Sequence, residues 1–263
     1  FLLYMFWILA DDPSHRHLRS NLSHQGLLTN LIASMRNAQN WLCATFTGLI
    51  NLAISIMGEL YGVMYLTQAQ HLSKITATNI AGLMFIGMIV GSPLMGLISD
   101  RLARRKLPML VGAVCILFTV LLIAYTGRHG AGVLSILFFA LGFFASCQVL
   151  SYPTIAESNP GAITGTSMSI VGIMLNLLSF FAQPLFGLLM RAGPSVGAKH
   201  LVSHYGASHF AIAMLILPLA FLIALMLVFK IKETFCRPYA RSMSDHVTTN
   251  SAFEDAGLRA TSS

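Results

Sequence analysis

A stripe of polar side chains runs through the first long apolar stretch of this sequence. Thr47, Asn51, Ser55 and Glu59 follow one another at four-residue intervals, which places them on one face of an α-helix. Glu59 is the only acidic residue well inside any apolar stretch. A carboxylate in hydrocarbon costs about 3 kcal/mol, so Glu59 needs a water-filled cavity or a partner.

Two interpretations of Glu59 stay open at this point. The carboxylate either binds a polar solute or exchanges a proton, or it is an inert group near the far end of its helix. In the second case Tyr61 or Tyr65 would hydrogen-bond to it. Gly58 and Gly62 flank this turn, and their presence predicts a bend or a break in the helix here.

Two further polar pairs occupy later apolar stretches. Gln148 and Tyr152 are four residues apart, and Asn176 and Gln183 are seven apart, so each pair shares a helical face. Such side chains can hydrogen-bond to a solute, or they can link one helix to another within a membrane. The sequence leaves both roles open for both pairs.

The sequence gives little support for a metal site or a catalytic site. Of His200, His204 and His209, only the first two have ligand-like spacing, and no carboxylate or cysteine accompanies them. The four cysteines form no Cys-x-x-Cys pair, which argues against a zinc site or a disulfide framework. No phosphate-binding loop or nucleophile elbow appears either. We therefore predict neither an enzyme nor a cofactor.

The elements that carry these residues are six long apolar runs. The chain is 56% apolar and only 10% charged, whereas soluble domains carry about 25% charged residues. A helix needs about 20 residues to cross a bilayer, and each run approaches or exceeds that length. The fold class predicted is an all-α, multi-pass membrane protein with spans at 41–66, 78–99, 107–126, 133–155, 163–190 and 209–231.

The second predicted span is rich in glycine. Gly82, Gly87, Gly91 and Gly96 recur along it at intervals of four or five residues. Small residues at such spacing let two helices approach closely in a membrane, so we interpret them as packing sites. A hinge at Ser92 and Pro93 is the alternative.

The segments outside the six spans have distinct predictions. Residues 1–10 are interpreted as the tail of a further membrane helix whose beginning is missing, which would make the chain a fragment. Residues 11–40 are predicted to be a cytoplasmic loop with a short amphipathic helix near 31–38. Residues 232–263 are polar and rich in Ser and Thr, which predicts a disordered cytoplasmic tail.

The distribution of basic residues orients the chain. Twelve of the 16 Lys and Arg residues fall on the same side of the predicted bilayer as the turn at 99–106. Cytoplasmic loops are enriched in Lys and Arg, so this side and the C-terminus are predicted to be cytoplasmic. The net charge of +7 is thus assigned to orientation and lipid contact, with no nucleic-acid partner.

The basic turn itself carries a sequence motif. From residue 96 it reads Gly-Leu-Ile-Ser-Asp-Arg-Leu-Ala-Arg-Arg. It resembles the signature loop of the major facilitator superfamily, Gly-x-x-x-Asp-Arg-x-Gly-Arg-Arg/Lys, which joins the second and third helices of each six-helix half. Ala103 stands where the family usually has glycine, which suggests a less constrained turn. The matching residues are Gly96, Asp100, Arg101, Arg104 and Arg105.

The resemblance implies a specific architecture and activity. The chain would be helices seven to twelve of a carrier, with a missing six-helix N-terminal half as its partner, in a bacterial inner membrane. Such carriers move a small polar solute by alternating access, in some cases coupled to protons. The family's first and fourth helices of this half line the cavity, which makes Asn51, Ser55, Glu59, Gln148 and Tyr152 candidate path residues; Asn176 is a weaker one.

Two alternatives accompany this interpretation. In the family, the charges of the signature loop stabilise one conformation of the carrier and separate in the other, and Glu157 could be their partner. These charges could equally serve only to anchor the topology. For the chain as a whole, the alternative is a truncated membrane protein that only binds partners, or a decayed remnant.

Overall fold

The computed structural model describes residues 27–191 and 206–237. All regular structure within these ranges is helical. The α-helices are α1 (Leu27–Arg36), α2 (Ala38–Ala53), α3 (Gly62–Gln68), α4 (Lys74–Leu102), α5 (Lys106–Tyr125), α6 (Ala131–Ala145), α7 (Ser151–Glu157), α8 (Gly161–Arg191), α9 (Ala207–Ala213) and α10 (Ile216–Lys230). A π-helical turn, Ile54–Leu60, joins α2 to α3, and a 3₁₀ segment, Ser146–Leu150, joins α6 to α7.

Six of these helical stretches are long and apolar enough to cross a membrane, which confirms the predicted fold class. In chain order we refer to them as the first to sixth spans. They cover Ala38–Leu60, Lys74–Leu102, Lys106–Tyr125, Ala131–Glu157, Ile163–Arg191 and Ser208–Lys230. The predicted helix tail at 1–10 and most of the predicted tail, 238–263, lie outside the described residues.

Local capping explains why helix ends differ from the apolar boundaries. The Asn37 side chain accepts a hydrogen bond from the Gln39 N–H (3.0 Å), so α2 begins at Ala38. The amphipathic helix consequently ends at Arg36, two residues earlier than predicted. Ser73 caps α4 by accepting from the Thr76 N–H (3.2 Å), which extends the second span beyond its apolar run.

The first span is the centre of the bundle. In its most apolar window 72% of the residues are buried, against 17% for the fifth span. It contacts the fourth, fifth and sixth spans, while the second span packs along the fourth and the third packs against the fourth and sixth. Fully buried aromatic side chains fill the spaces between spans: Phe46, Phe138, Phe186, Phe210 and Phe221.

Glycines set the close approach of the second and fourth spans. A Cβ added to Gly87 would lie 2.2 Å from the Phe139 carbonyl oxygen, and one on Gly91 would lie 2.5 Å from Ser146 Oγ. These two glycines are therefore packing sites. An added Cβ on Gly82 or Gly96 would have no atom within 4 Å, so neither glycine sets an approach between the described helices. Helix α4 runs without a break through Pro93.

Successive spans run in opposite directions, so their connections gather at two ends of the bundle. At one end the turn after the fourth span meets the start of the first, where Asn159 Nδ2 donates to Asn40 Oδ1 (2.6 Å). At the other end the Gln70 side chain accepts from the His129 N–H (3.0 Å). We call the first of these, which includes the turn at 99–106, the basic end.

Candidate functional site

A polar cleft lies between the first and fifth spans. Its volume is about 530 Å³. The structure thus brings together residues from two helices that the sequence suggested separately. The lining residues are Asn51, Glu59, Leu175, Asn176, Ser179, Phe180 and Gln183.

Glu59 occupies the π-helical turn at the edge of this cleft. Gly62 makes the turn possible, because a Cβ there would lie 1.8 Å from the Met57 carbonyl oxygen. The tight contact is reinforced by the Tyr61 N–H, which donates to the Ile56 carbonyl (2.8 Å). Short π-helical turns within α-helices often occur at functional sites. Here the turn leaves the Glu59 side chain exposed.

The neighbouring tyrosines do not hold Glu59. Tyr61 donates its hydroxyl to the Gln183 carbonyl (3.3 Å), and Tyr65 donates to the Ile123 carbonyl (2.6 Å). The alternative in which Glu59 is an inert carboxyl bonded to one of these tyrosines is therefore wrong for this conformation. The carboxylate faces the cleft without an ion pair to any described residue.

Ser55 lies behind the cleft and does not line it. Its side chain is 1% exposed, and its Oγ accepts a hydrogen bond from Gln183 Nε2 (2.9 Å). This bond links the first span to the fifth across 128 residues of sequence. Asn176 also makes a hydrogen bond within its own helix, from Nδ2 to the Gly172 carbonyl (2.8 Å), while remaining exposed to the cleft.

The fourth-span candidates lie apart from this cleft. Gln148 is 4% exposed, and its backbone carbonyl accepts from Thr47 Oγ1 (3.2 Å). Its side-chain oxygen and the Ser151 hydroxyl are buried with no hydrogen-bond partner among the described residues. Tyr152 is half-buried against the apolar core. Gln148 lies in the 3₁₀ segment, where it is buried at the contact between the first and fourth spans.

A charged cluster forms around the signature loop at the basic end. Arg105 is 8% exposed, and its guanidinium donates to Glu157 Oε1 (2.7 Å) and to Asp100 Oδ1 (2.6 Å). A further bond reaches Ser99 Oγ (3.1 Å). Burial disfavours the charged guanidinium, but hydrogen bonding and the negative charge of Glu157 outweigh it and raise the pKa of Arg105.

The other loop residues have different surroundings. Arg101 and Arg104 are exposed, and neither forms an ion pair with a described residue. Ala103 has φ 48° and ψ 33°, the left-handed conformation that glycine adopts most easily. Alanine in place of the motif's usual glycine thus adopts a left-handed backbone conformation in this turn.

The segment after the sixth span completes this cluster, and the sequence did not reveal it. Glu233 accepts hydrogen bonds from the backbone N–H groups of Arg105 (2.7 Å) and Lys106 (3.0 Å), at the N-terminus of α5, where a carboxylate is favourable. The Thr234 hydroxyl bonds to Glu157. Residues 232–237 thus contribute to the cluster, and the disorder predicted for the tail stays a prediction.

Comparison with known families identifies the fold. The model described as Major Facilitator Superfamily matches residues 38–241. The chain belongs to the major facilitator superfamily. It is a multi-pass integral membrane protein and a transporter of that superfamily, and its six spans correspond to one six-helix half. No curated protein sequence matches the chain.

Membership in the major facilitator superfamily accounts for the position of the charged cluster. The signature loop lies between the second and third spans, as the superfamily pattern requires. The match extends beyond the sixth span and includes Glu233. In the sequence, the sign of this contact was that Glu233 is a single acidic residue among basic ones, two positions after the last apolar run.

No metal-binding group of three or more side chains occurs among the described residues.

Proposed function

We propose that this superfamily member is a secondary carrier that moves a small polar solute by alternating access. The observation that supports it best is the exposed Glu59 carboxylate at the π-helical turn, facing a cleft lined by amide side chains. An intramembrane acidic residue is costly. Because its tyrosine neighbours are bonded elsewhere, Glu59 remains available for a ligand or a proton.

The chemistry of the cleft indicates how a solute would bind. Asn51, Asn176 and Gln183 offer both hydrogen-bond donors and acceptors, and Phe180 offers an apolar face. Glu59 is the only charged residue among those that line the described cleft. A solute with amino or hydroxyl groups fits this set, and protonation of Glu59 would release it. This step would couple transport to protons.

A working carrier also needs the cleft to be enclosed. The fifth span presents Ile173, Phe180 and Phe181 with 61–69% of each side chain exposed. We propose that a second, N-terminal six-helix half covers this side, so that the solute site lies between the two halves. We further propose that the membrane is a bacterial inner membrane, with the basic end and the C-terminus in the cytoplasm.

The charged cluster at the basic end would stabilise the conformation in which this end of the carrier is closed. Asp100, Arg105 and Glu157 hold the second, third and fourth spans together at this end. Opening the carrier towards the cytoplasm would require these spans to move apart. A buried ion pair favours one discrete arrangement over intermediate ones. This role is distinct from topology anchoring, for which the exposed Arg101 and Arg104 suffice.

The test is uptake of labelled small solutes by vesicles that contain the chain together with its proposed partner half. Glu59→Gln should abolish the dependence of uptake on a pH gradient, and Glu59→Asp, which keeps a carboxylate, should retain it. Ser135→Ala is the matched control, because among the described residues this hydroxyl bonds only to the Ala131 carbonyl of its own helix.

The outcomes separate the proposals. Uptake that is unchanged in Glu59→Gln at every pH would exclude both roles for this residue. Absence of uptake of any solute by the paired halves would favour the alternative, a membrane protein that does not transport.

A further inference from the structure

Helix α1 carries three apolar residues on a side that faces away from the rest of the described protein. Leu31, Ile32 and Met35 are 42%, 55% and 48% exposed, while Ser34 is fully buried. At 100° per residue, the three apolar residues form one face of the helix. Ser34 is the one buried residue among residues 29–36 of this helix, and a helix covered by water on its other sides would normally bury apolar side chains instead.

The side of α1 that contains Ser34 is fixed to the bundle by hydrogen bonds. The Ser167 hydroxyl donates to Ser34 Oγ (3.0 Å), and Asn40 Nδ2 donates to the Ser34 carbonyl (2.9 Å). The Trp41 indole N–H donates to the Met35 carbonyl (2.8 Å). These three bonds to two different spans prevent α1 from rotating to bury its apolar face.

The depth of α1 places that face beside lipid. Ser167 lies six residues into α8 and within the apolar fifth span, about 9 Å from the helix start at 1.5 Å per residue. A single residue, Asn37, separates α1 from the first span. The helix therefore lies alongside the ends of the first and fifth spans.

Charge completes the pattern of an interfacial helix. Arg36 is exposed and lies about 40° around the helix axis from Ile32, and α1 contains no acidic residue. Exposed Lys232 is held nearby, since its backbone N–H donates to the Gln39 side chain (3.1 Å). Interfacial helices combine an apolar face with flanking cations that bind lipid phosphates.

We infer that α1 lies in the membrane interface at the basic end, with Leu31, Ile32 and Met35 in contact with lipid acyl chains. It would fix the start of the first span at a constant depth in the bilayer. Arg36 would then bind lipid phosphate groups. This inference does not depend on whether the protein transports a solute.

Spin-label accessibility in lipid nanodiscs tests this directly. Nitroxides are attached to Ile32→Cys or to the matched control Ala33→Cys, the next residue, which is exposed but turned about 100° away. The parent chain carries Cys115→Ala and Cys236→Ser, because these two cysteines are partly exposed and would bind the label. Cys43 and Cys147 are fully buried and are left unchanged. Collisions with oxygen report lipid, and collisions with a water-soluble nickel chelate report water.

The label at residue 32 should show a severalfold higher ratio of oxygen to nickel accessibility than the label at residue 33. A high nickel accessibility at residue 32 would show that the face is in water and would overturn the inference. Low accessibility to both reagents would show that protein covers the face, which would also overturn it. The unlabelled parent must bind no spin label.

Discussion

At the residue scale, the three arginines of the signature loop have different environments although their spacing makes them look equivalent. Arg105 is buried between Asp100 and Glu157, whereas Arg101 and Arg104 are exposed. The motif predicted that charges would gather in this turn. It did not predict which arginine would be buried, because that depends on Glu157 and Glu233, which lie 52 and 128 residues away from Arg105.

Replacing Arg105 should therefore cost far more than replacing its neighbour. Arg105→Ala leaves Glu157, whose side chain is 11% exposed, without its cation. Breaking a buried ion pair in this way costs about 3 kcal/mol. Arg104→Ala at an exposed position should change the free energy of unfolding by about 0.5 kcal/mol or less.

Thermal unfolding of both variants in nanodiscs measures this difference. Equal losses would mean that the ion pair contributes no more than a surface charge. If Arg105→Ala unfolds during purification, the Arg105→Lys variant supplies the comparison, since it keeps the charge but loses the forked hydrogen bonds.

At the element scale, the contact between the second and fourth spans depends on backbone approach. A Cβ on Gly142 would lie 1.8 Å from the Met84 carbonyl oxygen, the shortest such distance in this contact. The glycine pattern of the second span predicted close packing. It did not identify Gly142 on the opposing helix, and it could not separate Gly87 from Gly82 because which face meets the partner is a property of the folded bundle.

Gly142→Ala should weaken the contact, whereas Gly82→Ala should not. The added methyl group would force the two spans apart, and overpacking of this kind costs about 1–3 kcal/mol. Gly82 has no atom within 4 Å of an added Cβ, so alanine there gains helix propensity of up to about 1 kcal/mol. The readout is the unfolding midpoint of each variant in mixed micelles. A Gly142→Ala midpoint at or above the parent's would contradict the close approach.

At the scale of the whole molecule, alternating spans place most of the basic residues of the described chain at one end. The turn at 99–106, the start of the first span and the segment after the sixth span all meet there. The opposite end contains the contact of Gln70 with His129. The charge asymmetry read from the sequence thus coincides with one physical surface, which we expect to face the cytoplasm.

Labelling with a membrane-impermeant maleimide checks this orientation. In a chain that carries Cys115→Ala and Cys236→Ser, a cysteine placed by Arg104→Cys should react only after the cells are permeabilised. The control Arg128→Cys, at the opposite end, should react in intact cells. The reverse pattern would mean that the basic end faces outward, and the cytoplasmic assignment would then be abandoned.

Sequence alone determined the properties that depend on local composition. The length of each apolar run and the placement of charges predict the six spans, their alternation and the signature loop. This is possible because each segment's own length and apolarity decide whether it can cross a bilayer. Only the tertiary structure decided which polar groups meet. The bond of Ser55 to Gln183, the exposure of Glu59 and the capping of α5 by Glu233 all depend on distances between segments far apart in the chain, and these distances are set by how the helices pack.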